Sequence, residues 1–176
     1  MHPSTPVAQP TAWPAAIADV VQLEELLSRP TPALLASLQS LDSDIVVLGV
    51  SGKMGPTLAR MAVRAIAELG LPYKVYGVAR FGQPAARDTL EAAGVKTITC
   101  DLLDRAALAQ LPASRNIIFM AGQKFGTSGA QHMTWGINTY LPALAAERYG
   151  GARVVVFSTG NVYPLTPVVN GGAREG

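Results

Sequence analysis

The chain has 176 residues but only one cysteine, Cys100, which excludes an internal disulfide and any multi-cysteine metal site. It has two histidines, His2 and His132, and no carboxylate cluster beside either, so no metal site is expected. Charge is scarce. Asp, Glu, Lys and Arg make up 15% of the residues, the net charge is +2, and the basic residues are scattered rather than arranged in a stripe. That pattern lacks the footprint of a nucleic-acid or anionic-membrane binder. Long hydrophobic runs are missing too, since no stretch approaches the ~18 apolar residues of a membrane span. Met1-His2-Pro3-Ser4-Thr5-Pro6 lacks the basic start and apolar run of a signal peptide. Together with the single thiol, these absences lead to the expectation of a soluble protein of the reducing cytoplasm. What the chain does have is apolar residues, 49% of the total. At this length they can bury one real core, and they argue against disorder.

Residues 1–16, rich in Pro, Ala, Ser and Thr, read as a loose arm. Residues 17–28 place Ile17, Val20, Val21, Leu23, Leu26 and Leu27 at mixed helical spacings. Thr31 can cap a second helix that starts on Pro32 and carries Leu34, Leu35, Leu38 and Leu41 on one face. Residues 1–43 thus form an N-terminal arm and helical extension, either a packing appendage or a dimerisation element.

From Asp44 the pattern alternates between short apolar runs and amphipathic stretches. Strands are expected at 45–48, 74–78, 95–99, 116–120 and 153–157. Helices are expected at 56–69, 84–93 and 105–110, and across 131–148 apart from Gly136 and Pro142. Ile45-Val46-Val47-Leu48 is apolar throughout, as a strand covered on both faces must be. Residues 159–176 read as loop, and no internal repeat is found. Strands alternating with helices imply an α/β fold, a doubly wound parallel sheet with right-handed crossovers, whose ligands sit beyond the strands' carboxyl ends.

The first such end carries Gly49-Val50-Ser51-Gly52-Lys53-Met54-Gly55, with glycine at positions one, four and seven. One glycine permits the tight turn out of the strand. One lets backbone N–H groups approach a pyrophosphate. One lets the following helix pack closely on the strand. The helix N-terminus adds partial positive charge at the phosphates. A strand before and a helix after supply the context this fingerprint needs; a purely structural turn is the alternative. A Walker-type loop is excluded, because Met54 rather than Ser or Thr follows Lys53. The second strand ends in Val78-Ala79-Arg80-Phe81, with no acidic residue to accept hydrogen bonds from an adenosine ribose. Arg80 can donate two hydrogen bonds to a 2′-phosphate and stack on adenine. NADP(H) is therefore favoured, with NAD(H) as the alternative if Arg80 is only a solvated cation.

From about Asp44 onward the chain resembles the extended short-chain dehydrogenase/reductase, or NAD-dependent epimerase/dehydratase, family. Besides the glycine spacing, Cys100-Asp101-Leu102 is similar to that family's Asp-Leu pair, where the carboxylate reaches the adenine amino group. Met120-Ala121-Gly122 occupies the place of its Leu-Ala-Ala segment, with Gly122 a small departure. Asn138 matches the helix asparagine that organises the site. Phe157-Ser158-Thr159-Gly160-Asn161-Val162-Tyr163 resembles the Ser-Ser/Thr-x-x-Val-Tyr segment, so Thr159 takes the role of the hydroxyl that orients substrate. The Val-Ala-Arg ending of the second strand resembles NADPH-using enone reductases of the family. The resemblance implies a Rossmann-type domain over 44–176 and a cofactor site built from Gly49, Ser51, Gly52, Lys53, Met54, Gly55, Arg80, Asp101, Leu102, Ala121 and Gly122. It also implies a carbonyl or sugar-type small-molecule substrate and, as one expectation, a homodimer.

The family's Tyr-x-x-x-Lys pair is not found. Tyr73, Tyr76, Tyr140, Tyr149 and Tyr163 all lack lysine at the fourth following position, and Tyr76 comes nearest with Arg80. Two expectations follow: a domain that stops after its fifth strand, short of the pair, or a nucleotide-sensing module without turnover. Among other residues, Lys124 reads as a solvated loop lysine or as a group facing substrate. Cys100 reads as a small buried residue beside the adenine pocket, and Trp135 and Tyr140 as packing residues.

Overall fold

Ile45–Leu48 forms β1 and is buried at all four positions. Its side chains alternate between two cores. Ile45 and Val47 join one, and Val46 and Leu48 the other. A strand covered by helices on both faces buries alternate side chains in two cores in this way. The computed structural model describes residues 14–123 and 128–158, together with 166–167, 169 and 171–172.

The sheet has five parallel strands. They are β1, β2 (Val75–Ala79), β3 (Lys96–Thr99), β4 (Asn116–Phe119) and β5 (Arg153–Val156), in the order β3-β2-β1-β4-β5. This is the Rossmann-like arrangement expected from the sequence. The order reverses between β1 and β4, so the crevice beyond their carboxyl ends is the switch point.

On one face, α3 (Gly55–Glu68) and α4 (Pro84–Ala92) bury Ala59, Ala62, Ile66 and Leu90 against the sheet. On the other, α5 (Arg105–Ala109) and α7 (Leu141–Arg148) bury Leu108, Leu141, Leu144 and Ala145. The N-terminal extension forms α1 (Val20–Leu27) and α2 (Pro32–Leu38). Asp19 caps α1, its side chain accepting from the N–H of Gln22, and Thr31 caps α2, accepting from the N–H of Leu34. As expected, Pro32 sits in the first turn of α2, where its missing N–H costs nothing. Leu38 and Leu41 then pack against the core beneath α3. No helix among the described residues is long and apolar enough to cross a membrane.

Two expectations need correction. The segment 131–148 is not interrupted at Gly136 or Pro142. α6 (Gln131–Trp135) passes into a π-helical turn at Gly136–Tyr140 and then into α7. Pro142 has no N–H to offer a carbonyl four residues back, and the wider turn absorbs that loss: the Leu141 N–H reaches the Gly136 carbonyl instead. Trp135 and Tyr140 are also not packing residues, at 70% and 49% exposure. The turn directs Ile137 and Leu141 into the core and leaves these two aromatics outside.

Candidate functional site

The glycine turn leaves β1 at Gly49, whose φ is +88°, a conformation open to glycine at little cost. A Cβ there would lie 2.6 Å from the Ala121 nitrogen at the end of β4. Gly49 is thus fixed both by its backbone angle and by the neighbouring strand. The N–H groups of Gly49 and Val50 both donate to the Val78 carbonyl, at 2.9 and 3.2 Å. The Gly52 N–H donates to the Gly49 carbonyl and the Gly55 N–H to the Gly52 carbonyl, each at 3.2 Å. The N–H groups of Ser51, Lys53 and Met54 have no acceptor among the described residues.

The other two glycines have separate causes. A Cβ on Gly55 would lie 2.1 Å from the Val50 carbonyl oxygen, so only glycine lets α3 start this close to the turn. A Cβ on Gly52 would meet nothing nearer than the Gly49 carbonyl at 3.5 Å, so the fold itself has room for it. Gly52 is exposed and lines the cleft. A side chain there would occupy space that a pyrophosphate needs, so this cradle fits a phosphate group approaching backbone donors. α3 runs for 14 residues from Gly55 with no side-chain cap, which leaves the positive end of its dipole facing the same place.

The cleft above the switch point has two lobes. A narrow one of about 210 Å³ is lined by Ser51, Ala79, Arg80, Cys100, Leu102, Ile137 and Leu141. A wide one of about 680 Å³ is lined by Lys53, Met54, Gly55, Asn138, Pro142 and the segment Val156–Ser158, among others. Gly49, Gly52 and Met120–Gln123 line both and form the floor between them. Among the described residues no Asp or Glu lines either lobe. Arg80 is the narrow lobe's charged side chain and Lys53 the wide lobe's.

Arg80 is exposed at the end of β2 and has no ion-pair partner among the described residues. Phe81 follows it with φ of +46°, which is costly for a bulky residue. Its partly buried ring packs on the core under α3 and α4, which holds that conformation. The reversal takes the chain off the sheet directly after the arginine. Cys100 is buried at the base of the narrow lobe. Burial pushes its thiol pKa up, and Asp101 and Asp104 push the same way, so it is a protonated, inert wall. Leu102 lines the lobe as well. Asp101 is exposed outside that lining, and one of its carboxylate oxygens accepts from the Leu103 N–H at 3.0 Å.

On the wide side, the Gln123 N–H donates to Asn138 Oδ1 and Asn138 Nδ2 donates to the Gln123 carbonyl, both at 2.8 Å. This two-point clamp fixes the loop after β4 against the π-helical turn and makes Asn138 an organising residue. A Cβ on Gly122 would sit 3.7 Å from Asn138 Oδ1, an ordinary contact, so the clamp itself does not require glycine there. The fold thus gathers ten of the expected residues around one cleft: Gly49, Ser51, Gly52, Lys53, Met54, Gly55, Arg80, Leu102, Ala121 and Gly122. It sets Asp101 at the margin. Thr159 and Lys124 lie outside the described residues. Sequence reasoning missed Gln123 and Phe81. A glutamine in a loop has no pattern to betray it, and a left-handed phenylalanine has no compositional signal.

The family described as NAD dependent epimerase/dehydratase matches residues 45–173, which begins at β1 and leaves the N-terminal extension out. Among solved structures, ADP-L-glycero-D-manno-heptose-6-epimerase from Helicobacter pylori is similar at a TM-score of 0.58 and 19% identity. That match covers 72% of this chain and 42% of the epimerase. BdcA from E. coli is similar at a TM-score of 0.52 and 19% identity, covering 65% of this chain and 62% of BdcA. The chain therefore spans less than two thirds of either relative's length, and at these identities the likeness is one of fold. No curated protein sequence matches the chain.

Proposed function

Because the chain belongs to the NAD dependent epimerase/dehydratase family, with residues 45–173 matching it, we propose that its cleft binds NADP(H) in preference to NAD(H) and that it is the nucleotide-binding part of an oxidoreductase acting on a carbonyl or sugar-type small molecule. One observation carries the preference: Arg80 lines the narrow lobe and no carboxylate does among the described residues. A guanidinium there attracts a 2′-phosphate, whereas an acidic residue would repel it.

In this reading the backbone N–H groups of Ser51, Lys53 and Met54 and the start of α3 take the pyrophosphate over Gly52. Gly49, Gly55, Ala121 and Gly122 keep the floor low enough for it. Leu102 and Cys100 form the adenine wall, and Asp101, at its margin, is assigned to the adenine amino group. The nicotinamide ring, when bound, supplies or accepts the hydride. Thr159, which follows the lobe-lining Ser158, is assigned to hold the substrate oxygen. A cytoplasmic location and a homodimer belong to the same proposal.

The test is calorimetry of NADPH and NADH with the unmodified chain and with Arg80→Asp. A charge-assisted contact of ~1.5–3 kcal/mol corresponds to roughly ten- to a hundredfold tighter NADPH binding. The Asp variant should reverse the order. Equal affinities for the two cofactors in the unmodified chain would overturn the NADP(H) assignment.

A second reading is a nucleotide sensor without turnover: no tyrosine of the 176 is followed by lysine at the fourth place, a pattern equally expected of the nucleotide-binding part of a longer enzyme. General acid catalysis contributes about 10²–10⁴-fold, and no tyrosine is among the described residues that line the wide lobe. NADPH oxidation over a panel of carbonyl substrates, by this chain and by any longer product of the same reading frame, separates the two readings. Sustained turnover would sink the sensor.

A further inference from the structure

The two cations of the cleft stand in different lobes. Arg80 lines the narrow lobe and not the wide one; Lys53 lines the wide lobe and not the narrow one. Resting on the nucleotide reading above, we infer that the Lys53 side chain is a dedicated contact for the phosphate on the nicotinamide side of the dinucleotide, so that each half of the cofactor has its own cation.

The argument is one of placement. Lys53 lies inside the glycine turn, between Gly52 on the shared floor and Gly55 at the start of α3. Its backbone belongs to the anion cradle, so the first atoms beyond that cradle are within reach of its side chain. A dinucleotide whose adenosine fills the lobe of Arg80, Cys100 and Leu102 must carry its second phosphate across Gly52 into the wide lobe. There Lys53 is the charged group among the described lining residues; the others are glycine, apolar side chains, and the neutral Gln123, Asn138 and Ser158. Lys53 is exposed and has no ion-pair partner among the described residues, so no competing carboxylate must be displaced. The same lobe, at about 680 Å³, is the larger space, as the half that holds both nicotinamide and a substrate requires. An ammonium on a flexible stem follows a phosphate as a point charge, without the fixed geometry that Arg80 imposes on its own partner.

The consequence is a separation that whole-cofactor affinity alone cannot reveal. Binding of NADH, NADPH, 5′-AMP and 2′,5′-ADP would be measured by calorimetry for the unmodified chain and for Lys53→Met, Lys53→Arg and Arg80→Ala. The two mononucleotides carry the adenosine-side phosphate and lack the other. Lys53→Met should weaken NADH and NADPH by roughly three- to tenfold, as expected for a partly solvated charge-assisted contact. It should leave 5′-AMP and 2′,5′-ADP within about twofold. Lys53→Arg should keep most of the parental affinity, and added salt should shrink the Lys53 effect. Arg80→Ala should weaken NADPH and 2′,5′-ADP together. Because Lys53 is exposed, circular dichroism of its variants should match the parent. The inference is overturned if Lys53→Met leaves the dinucleotides unchanged, or weakens 5′-AMP by the same factor as NADH. Failure of the unmodified chain to bind any of the four ligands would overturn the nucleotide reading itself, a different and recognisable result.

Discussion

Gly52 and Gly55 stand three residues apart in one turn, yet substitution should affect them through different quantities. A side chain at Gly52 has room in the fold and takes its space from the cleft. Gly52→Val is expected to abolish NADPH binding while the circular dichroism spectrum and melting temperature stay near parental values. At Gly55 the clash is with the Val50 backbone at 2.1 Å, which cannot yield without moving α3 away from β1. Gly55→Val should therefore cost stability, on the order of 2–4 kcal/mol, before any ligand is added. Thermal melts with and without NADPH separate the two effects. Parental affinity in Gly52→Val would make the whole turn structural and remove the basis of the site. The demand for glycine at Gly49 and Gly55 was legible in the sequence because a tight turn and a close backbone approach admit no other residue; at Gly52 the fold has room, and the demand comes from the proposed ligand. The Asn138–Gln123 clamp was legible only in its first member. The pairing joins residues 15 apart through a turn whose geometry no residue type announces.

At the scale of elements, the polar attachment of the N-terminal extension to the dinucleotide-binding domain centres on one carboxylate. Glu25 on α1 accepts from Arg60 at 2.7 Å and from Arg64 at 2.8 and 2.9 Å, both arginines on α3. Arg64 also donates to the fully buried Ser28 hydroxyl at 2.9 Å, and Arg29 lies 3.6 Å from the same glutamate. Of the two readings of this extension, the packing one has these contacts behind it. The hydrogen bond from Arg64, joined by the charges of Arg64, Arg60 and Arg29 and opposed by burial, holds the Glu25 pKa below its ordinary value. A depressed carboxylate contributes stability that is present above its unfolded pKa and lost as pH falls through the folded one. α1 should therefore loosen from α3 only in acid, below the ordinary glutamate range near pH ~4.3. At neutral pH, Glu25→Gln is expected to cost about 1 kcal/mol, modest because the pair is a third exposed. It should raise amide exchange in α1 selectively. Uniform exchange rates in parent and variant at pH 7 would show that apolar contacts alone hold the extension. Both extension helices could be anticipated because Thr31-Pro32 and the leucine spacing are local signals. Their attachment could not, because Glu25 meets Arg64 across 39 positions.

At the scale of the whole molecule, the sheet is covered unevenly. β1, at the centre, is wholly buried. β5 ends the strand order, and Val154, Val155, Val156 and Phe157 are 41–59% exposed. The sequence Arg153-Val154-Val155-Val156-Phe157 reads as a strand, but an apolar run carries no mark of whether anything covers it. Strand identity was legible there, while solvent exposure depends on what the rest of the chain places around it. Beyond Arg153 the residues of β5 are uncharged and β-branched, and an edge of that kind is a template for pairing with another copy. Its positions are not equivalent, however. Val156 and Phe157 line the wide lobe of the cleft, whereas Val155, at 59% exposure, does not. A lysine at Val155 would place a charge on the edge without touching the nucleotide site, the device by which natural edge strands resist association. Val155→Lys is therefore expected to shift the chain toward monomer in light scattering over a concentration series and to raise its soluble limit. NADPH affinity should stay within about twofold of the parent. Val156→Lys should reduce association by a similar amount but should also perturb ligand binding, since its side chain enters the lobe. Unchanged association in both variants would mean that self-association runs through another surface, with the exposed Trp135 and Tyr140 the next to be replaced.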